Sequence, residues 1–143
     1  MAINATIPNY AKYLIGKGVI HFDLDTFKII LMQDDFVFDP DTHRVAADVY
    51  SGQLPTENGY SQNTKVLTGV SITEDSELSQ VVIAWEDAEW TAILGSIGPL
   101  KSVIIYDDTY QDDPIIMFGE LASSLIVSEG LSVSMKTPTL NLV

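Results

Sequence analysis

Carboxylates dominate the residues of this chain that could do chemistry. Two loops concentrate them: Asp34, Asp35, Asp39 and Asp41 around Pro40, and Asp107, Asp108, Asp112 and Asp113. Calcium takes about 6–8 oxygens, several from one loop, so each loop invites a cation reading. Neither has the Asp-x-Asp-x-Asp-Gly spacing and distal Glu of an EF-hand. Asp also ends strands because its side chain bonds the turn backbone, and this spacing fits turn-formers better than ligands. Paired acids serve glycoside hydrolysis when they stand about 5–10 Å apart across a sugar-binding cleft. Among 20 acidic residues such pairs arise by chance, and a sandwich of this size offers little cleft. An acid-pair hydrolase is therefore the least favoured of three functional readings.

His21 and His43 are the only histidines. His21 lies on the polar side of an alternating stretch, and His43 follows a Pro-Asp-Thr turn. No Gly-x-Ser-x-Gly marks a hydrolase nucleophile, and the two histidines lack zinc-type spacing. Both read as surface or capping residues. Gly95-Ser96-Ile97-Gly98 is too short for a phosphate loop and lacks the following Lys-Ser/Thr. Trp85, Trp90, Tyr106 and Phe118 are spaced for strands and read first as core. An exposed Trp90 or Tyr110 could stack on a sugar, which is the basis of a glycan-binding alternative. The chain reads as non-enzymatic, with no catalytic, cofactor-binding or metal-ligating residue assigned.

Short strands must carry these loops. Ile20, Phe22 and Leu24 alternate with His21, Asp23 and Asp25, the period of a half-buried strand over 19–24. Phe27 to Met32 is an apolar run broken only by Lys28, which reads as a strand over 27–33 covered on both faces. Phe27, Ile29 and Leu31 face one way, Ile30 and Met32 the other. Pro8 opens a short helix that stops at Gly16 or Gly18, and His43 to Tyr50 is the internal helix candidate. Further strands are expected over 65–73, 79–85, 89–94, 101–106 and 114–120, with Leu131, Val133 and Met135 alternating near the end. The pair 79–85 and 89–94 reads as a hairpin across Glu86-Asp87-Ala88. Residues 137–143 read as a last edge strand or a free tail. Seven or eight short strands separated by Gly, Pro, Asn and Asp indicate an all-β fold. The expectation is a jelly-roll-like β-sandwich over 18–143, preceded by an N-terminal arm or helix over 1–17, with one short internal helix.

The chain has 143 residues, no cysteine and a net charge of −13. That length fits one domain, and without cysteine neither disulfides nor thiol catalysis are available. Such acidity disfavours contact with nucleic acid or an anionic membrane. No apolar run reaches the roughly 18–20 residues of a membrane-spanning helix, and residues 1–15 lack the pattern of a signal peptide. The expectation is a soluble chain whose partners are neutral or basic protein surfaces.

Three segments carry a resemblance. Asp23-Leu24-Asp25-Thr26 with Lys28-Ile29 and Leu31-Met32 is the first, and Phe38-Asp39-Pro40-Asp41-Thr42-His43 is the second. The third is Asn58-Gly59-Tyr60-Ser61 with Lys65-Val66-Leu67-Thr68-Gly69. Together they resemble small virion proteins of tailed bacteriophages, of the capsid decoration or cement type. The match covers the first half of the chain well; the second half is similar in pattern only, through Ile104 to Thr109. The resemblance implies a β-sandwich on the exterior of a phage head, bound to the major capsid protein and bridging its subunits. Self-association as a homodimer is expected beside it. A tail or host-adhesion module that binds glycan is the alternative. The apolar residues Ile3, Ile7, Tyr10 and Tyr13 near the start, with Leu140 and Leu142 near the end, are the candidate inter-subunit contacts.

Overall fold

The computed structural model describes residues 3–142, with side chains from residue 5 onward. The architecture is mostly β, with several antiparallel sheets and two short helices. The central layer is a four-stranded sheet in the order β1-β7-β6-β2, built from β1 (Ile3–Thr6), β2 (Phe27–Gln33), β6 (Ile97–Asp107) and β7 (Ile115–Val127). A three-stranded sheet joins β3 (Ser71–Asp75), β4 (Gln80–Ala84) and β9 (Thr139–Leu142). β5 (Ala88–Thr91) pairs with β8 (Ser132–Met135).

β2 shows why the central sheet forms. Its apolar run would leave one face wet in a single-sided sheet, and here both faces are covered. Phe27, Ile29 and Leu31 join the main core with Ile83, Trp90, Val133, Met135 and Leu140 of the smaller sheets and with Trp85, just after β4. Ile30 and Met32 point into a second core with Ile104, Tyr106, Ile115 and Phe118. That second core is roofed by Phe36, Phe38, Ala46 and Val49, from the loop and 3-10 helix (Ala46–Gly52) that follow β2. The arrangement is sandwich-like: the smaller sheets and the central sheet share one apolar interior.

The N-terminal segment contributes a strand and a helix to the fold. β1 is an edge strand that pairs with β7 from Ile3↔Leu121 to Thr6↔Phe118. Helix α1 (Asn9–Gly16) begins directly after Pro8 and buries Ala11 and Leu14 in the main core. The chain then reverses at Gly18, whose φ of +71° suits a residue without a Cβ. Residues 3–16 therefore close one end of the same sandwich.

Two expected strands and one expected hairpin take other forms. Residues 19–24 form a turn, because the backbone N–H groups of Leu24 and Asp25 both donate to the His21 carbonyl and the Asp25 carboxylate accepts the His21 N–H. Short polar side chains that bond nearby backbone compete with a strand ladder in this way. Residues 65–70 run as an irregular strip beside β2, touching it at Lys28↔Val66, and the regular strand begins only at Ser71. The stretches 79–85 and 89–94 do not pair with each other. β4 pairs with β3 and β9, while β5 pairs with β8. Asp87 explains the divergence: its carboxylate accepts the Thr137 N–H at 2.8 Å and the Lys136 ammonium at 3.2 Å. That pulls the 86–88 link towards the chain's last segment instead of closing a hairpin.

Candidate functional site

One end of the molecule presents apolar side chains on two loops tied together by backbone bonds. Ile93, Leu94, Ile126 and Leu131 are all exposed, Leu94 most of all at 88 %. The Ala92 N–H donates to the Leu131 carbonyl, and the Gly130 N–H donates back to the Ala92 carbonyl. Ile97 pairs with Val127 across the start of β6 and the end of β7, which sets Ile126 at the same end. The Asn58-Gly59 turn fixes the 91–96 loop from beneath. The Ile93 N–H donates to the Asn58 carbonyl at 2.9 Å, and the Asn58 amide donates to the Ser96 carbonyl at 2.9 Å. Gly59, at φ +95°, lies so close to the Thr91 carbonyl that a Cβ would stand 2.1 Å from its oxygen. Tyr60 anchors the turn in the core, where its hydroxyl donates to Gln53 Oε1 and accepts the Leu31 N–H. A large apolar side chain held in water by rigid backbone is how a docking surface differs from a frayed loop.

The interface residues read from the sequence are scattered. Ile3 lies in β1, with its side chain outside the described residues. Ile7 and Tyr10 are half-buried against the main core, and Leu142 packs there as well. Tyr10 is further engaged by the Arg44 guanidinium, 4.1 Å from its ring centroid. Tyr13 alone is well exposed, with its ring 6.2 Å from that of Tyr10. Leu140 is 1 % exposed and belongs to the core, so its side chain cannot contact a second subunit. Strand alternation places Leu140 and Leu142 on one face, which is turned inward. The apolar pattern alone does not mark the exposed tip, because Ile93 and Leu94 read as strand residues. Their signal is Gly95, directly after an apolar pair.

The acidic loops act through their own backbone. The Asp39 carboxylate accepts the Asp41 N–H at 2.9 Å, and that bond, with one from the Thr42 hydroxyl, holds it below its ordinary range. His43 accepts the Asp39 N–H through Nδ1 and lies beside Phe36 and Phe38. Asp48 caps the 3-10 helix by accepting the N–H groups of Arg44 and Val45. Among the described residues no group of three or more His, Asp or Glu converges as a metal cluster. Asp107 is the acid set apart. Its side chain is wholly buried at the end of β6 and faces the Asp25 carboxyl.

The residues named for the two alternatives lie in different surroundings. Trp90 is 4 % exposed and packed near Tyr60, which leaves its ring no open face for a sugar, and Tyr110 is half-buried against the main core. The Asp25 and Asp107 side chains are both largely buried. An open groove of about 600 Å³ does lie between α1, the 42–50 segment and the 107–113 loop, with Tyr10, Arg44, Tyr50, Asp112 and Asp113 on its walls. Its one cation lies over Tyr10, and Asp113 is raised by partial burial and by the Asp108 charge.

Comparison with protein-family models, with curated proteins and with solved structures returns no match.

Proposed function

We propose that this chain is a structural protein of a tailed-phage virion that decorates the outside of the head shell and bridges capsid subunits. The reading rests on the three segments that resemble such proteins, and the observation that carries it furthest is the rigid apolar tip. The Asn58-Gly59-Tyr60 segment is one of the three, and it is the part that holds Ile93 and Leu94 in water. Four large apolar side chains at one end supply the non-directional part of a docking contact. The strong negative charge of the rest disfavours the packaged DNA and favours a neutral or basic protein surface. The edges of β1 and β3, each paired on one side only among the described residues, offer main-chain groups for pairing with a neighbour, including a second copy of this chain.

The test is a gradient-purified virion preparation, separated into heads and tails and examined by mass spectrometry and cryo-electron microscopy. The expected result is this chain on the outer head surface in regular copy number relative to the major capsid protein, with its 91–96 loop against the shell. Its absence from heads, or its confinement to tails, overturns the proposal.

A further inference from the structure

The acidic turn before β2 and the acidic loop after β6 meet at a pair of carboxyl groups. Phe27 pairs with Asp107 across the two strands, so Asp25 and Asp107 are brought to the same end of the sheet. Asp107 Oδ1 accepts two backbone N–H groups, from Thr109 at 2.8 Å and from Tyr110 at 3.1 Å. Asp107 Oδ2 is buried with no donor on any protein group. What it faces is the carboxyl of Asp25, whose side chain is only 8 % exposed. Two further bonds hold the segments together: the Thr26 N–H donates to Thr109 Oγ1 at 2.7 Å, and the Asp108 N–H donates to the Thr26 carbonyl at 2.8 Å. Two buried carboxylates cannot both stay ionised at contact distance, and a proton held between them supplies the missing donor.

We propose that Asp25 and Asp107 share one proton, and that this proton latches the 21–26 turn to the 107–113 loop. Asp107 carries the proton and donates it from Oδ2 to the Asp25 carboxylate. Asp25 is the accepting member because its carboxyl already accepts the His21 N–H; the His21 ring lies beside it, Nδ1 3.8 Å from Oδ1. The other charged groups at this end are engaged apart from the pair. Lys28 of β2 bonds Asp108 at 3.2 Å, Asp112 and Asp113 line the groove beyond the loop, and Lys65 of the adjoining strip lies over Trp90. Burial and the facing Asp25 carboxyl both push Asp107 up, to about 7. A folded-state value raised above the unfolded one stabilises the fold at acid pH, and that contribution is lost as pH rises from about 4 through about 7. The latch is independent of the proposed role on a phage head, because it concerns the folded chain alone.

The experiment is thermal unfolding of the purified protein between about pH 5 and about pH 8.5, with four variants beside the wild type. Asp107→Asn keeps the acceptor for Thr109 and Tyr110 and replaces the shared proton with a permanent N–H donor. The wild-type Tm is expected to fall across this range. Asp107→Asn is expected to flatten the profile and to exceed the wild type by about 4 °C or more at the alkaline end. Asp35→Asn removes one exposed charge and keeps the wild-type slope; a Tm that still falls in His21→Gln assigns the slope to the pair rather than to the neighbouring ring, and a slope that vanishes in that variant overturns the proposal. Should Asp107→Asn fold poorly, Asp25→Asn and a carbon-13 titration of the wild-type carboxyls carry the same test. A flat wild-type profile, or an Asp107 carboxyl titrating in the ordinary aspartate range, overturns the proposal. So does stabilisation of the wild type, but not of Asp107→Asn, by calcium or magnesium at alkaline pH, which would put a metal ion where the proton is placed.

Discussion

The side-chain amide of Asn58 donates to the main-chain carbonyl of Ser96, 2.9 Å away. This bond joins a turn in the middle of the chain to the loop that carries the exposed apolar tip. With the Ile93 N–H on the Asn58 carbonyl, it holds the loop at both ends. Asn58 and Gly59 both adopt positive φ, 54° and 95°, which asparagine and glycine tolerate better than other residues.

Gly59→Ala is expected to destabilise the fold by about 2–4 kcal/mol, since it adds left-handed strain to a backbone clash. The new Cβ would stand 2.1 Å from the Thr91 oxygen, and that oxygen is main chain and cannot swing aside. Urea unfolding gives the measurement, and an unchanged midpoint would show that turn and loop are not in contact.

Leu94→Asp is expected to leave stability within about 0.5 kcal/mol, because the side chain meets water rather than core. On the proposed function it should lower binding to heads tenfold or more, about 1.4 kcal/mol. Tyr13→Asp is the comparison at another exposed site, and it should bind as the wild type does. Sedimentation of the labelled protein with heads that lack it reads both.

How far the sequence discloses this arrangement depends on whether an element's neighbours are local. β2 is legible because a run buried on both faces needs no partner to be recognised, and its facing residues fall as alternation requires. Helix α1 is legible from Pro8 and the glycines that follow it. Pairing is not: β5 finds β8 some forty residues on, because Asp87 bonds Thr137 and no local pattern encodes that. The tip is hidden for a related reason. Ile93 and Leu94 have strand-forming side chains, and only the backbone bonds to Asn58 and the neighbouring loop keep them out of a sheet. The Asp25–Asp107 pair is concealed as well, since it depends on β2 and β6 pairing in one register.

Tyr60→Phe should cost about 1–3 kcal/mol without disturbing packing. The lost hydroxyl leaves the buried Leu31 N–H and Gln53 Oε1 without their partner, while the ring stays beside Trp90. Guanidinium unfolding measures the loss. Trp90→Ala, by contrast, empties a core position and should cost about 3–5 kcal/mol. No loss from Tyr60→Phe would mean that the hydroxyl is not needed, and a loss as large as that of Trp90→Ala would mean that packing is disturbed as well.

The same phenol sets how the fold fails in alkali. Burial raises Tyr60, and it raises Tyr106 together with the neighbouring Tyr50 and the Asp108 charge. In the unfolded chain both phenols ionise near the ordinary value of about 10. A folded value raised above that means the contribution is complete below about pH 10 and is lost as pH climbs towards the folded values. Stability should therefore hold to about pH 9 and then drop steeply, with tyrosinate absorbance rising in step with the loss of β-sheet circular dichroism. Tyr60→Phe starts lower at neutral pH but should fall less steeply, having one suppressed phenol fewer. Tyrosinate appearing well before the circular dichroism changes would mean that these hydroxyls reach water in the folded protein, against the bonds of Tyr60 to Leu31 and Gln53 and of Tyr106 to Asn63.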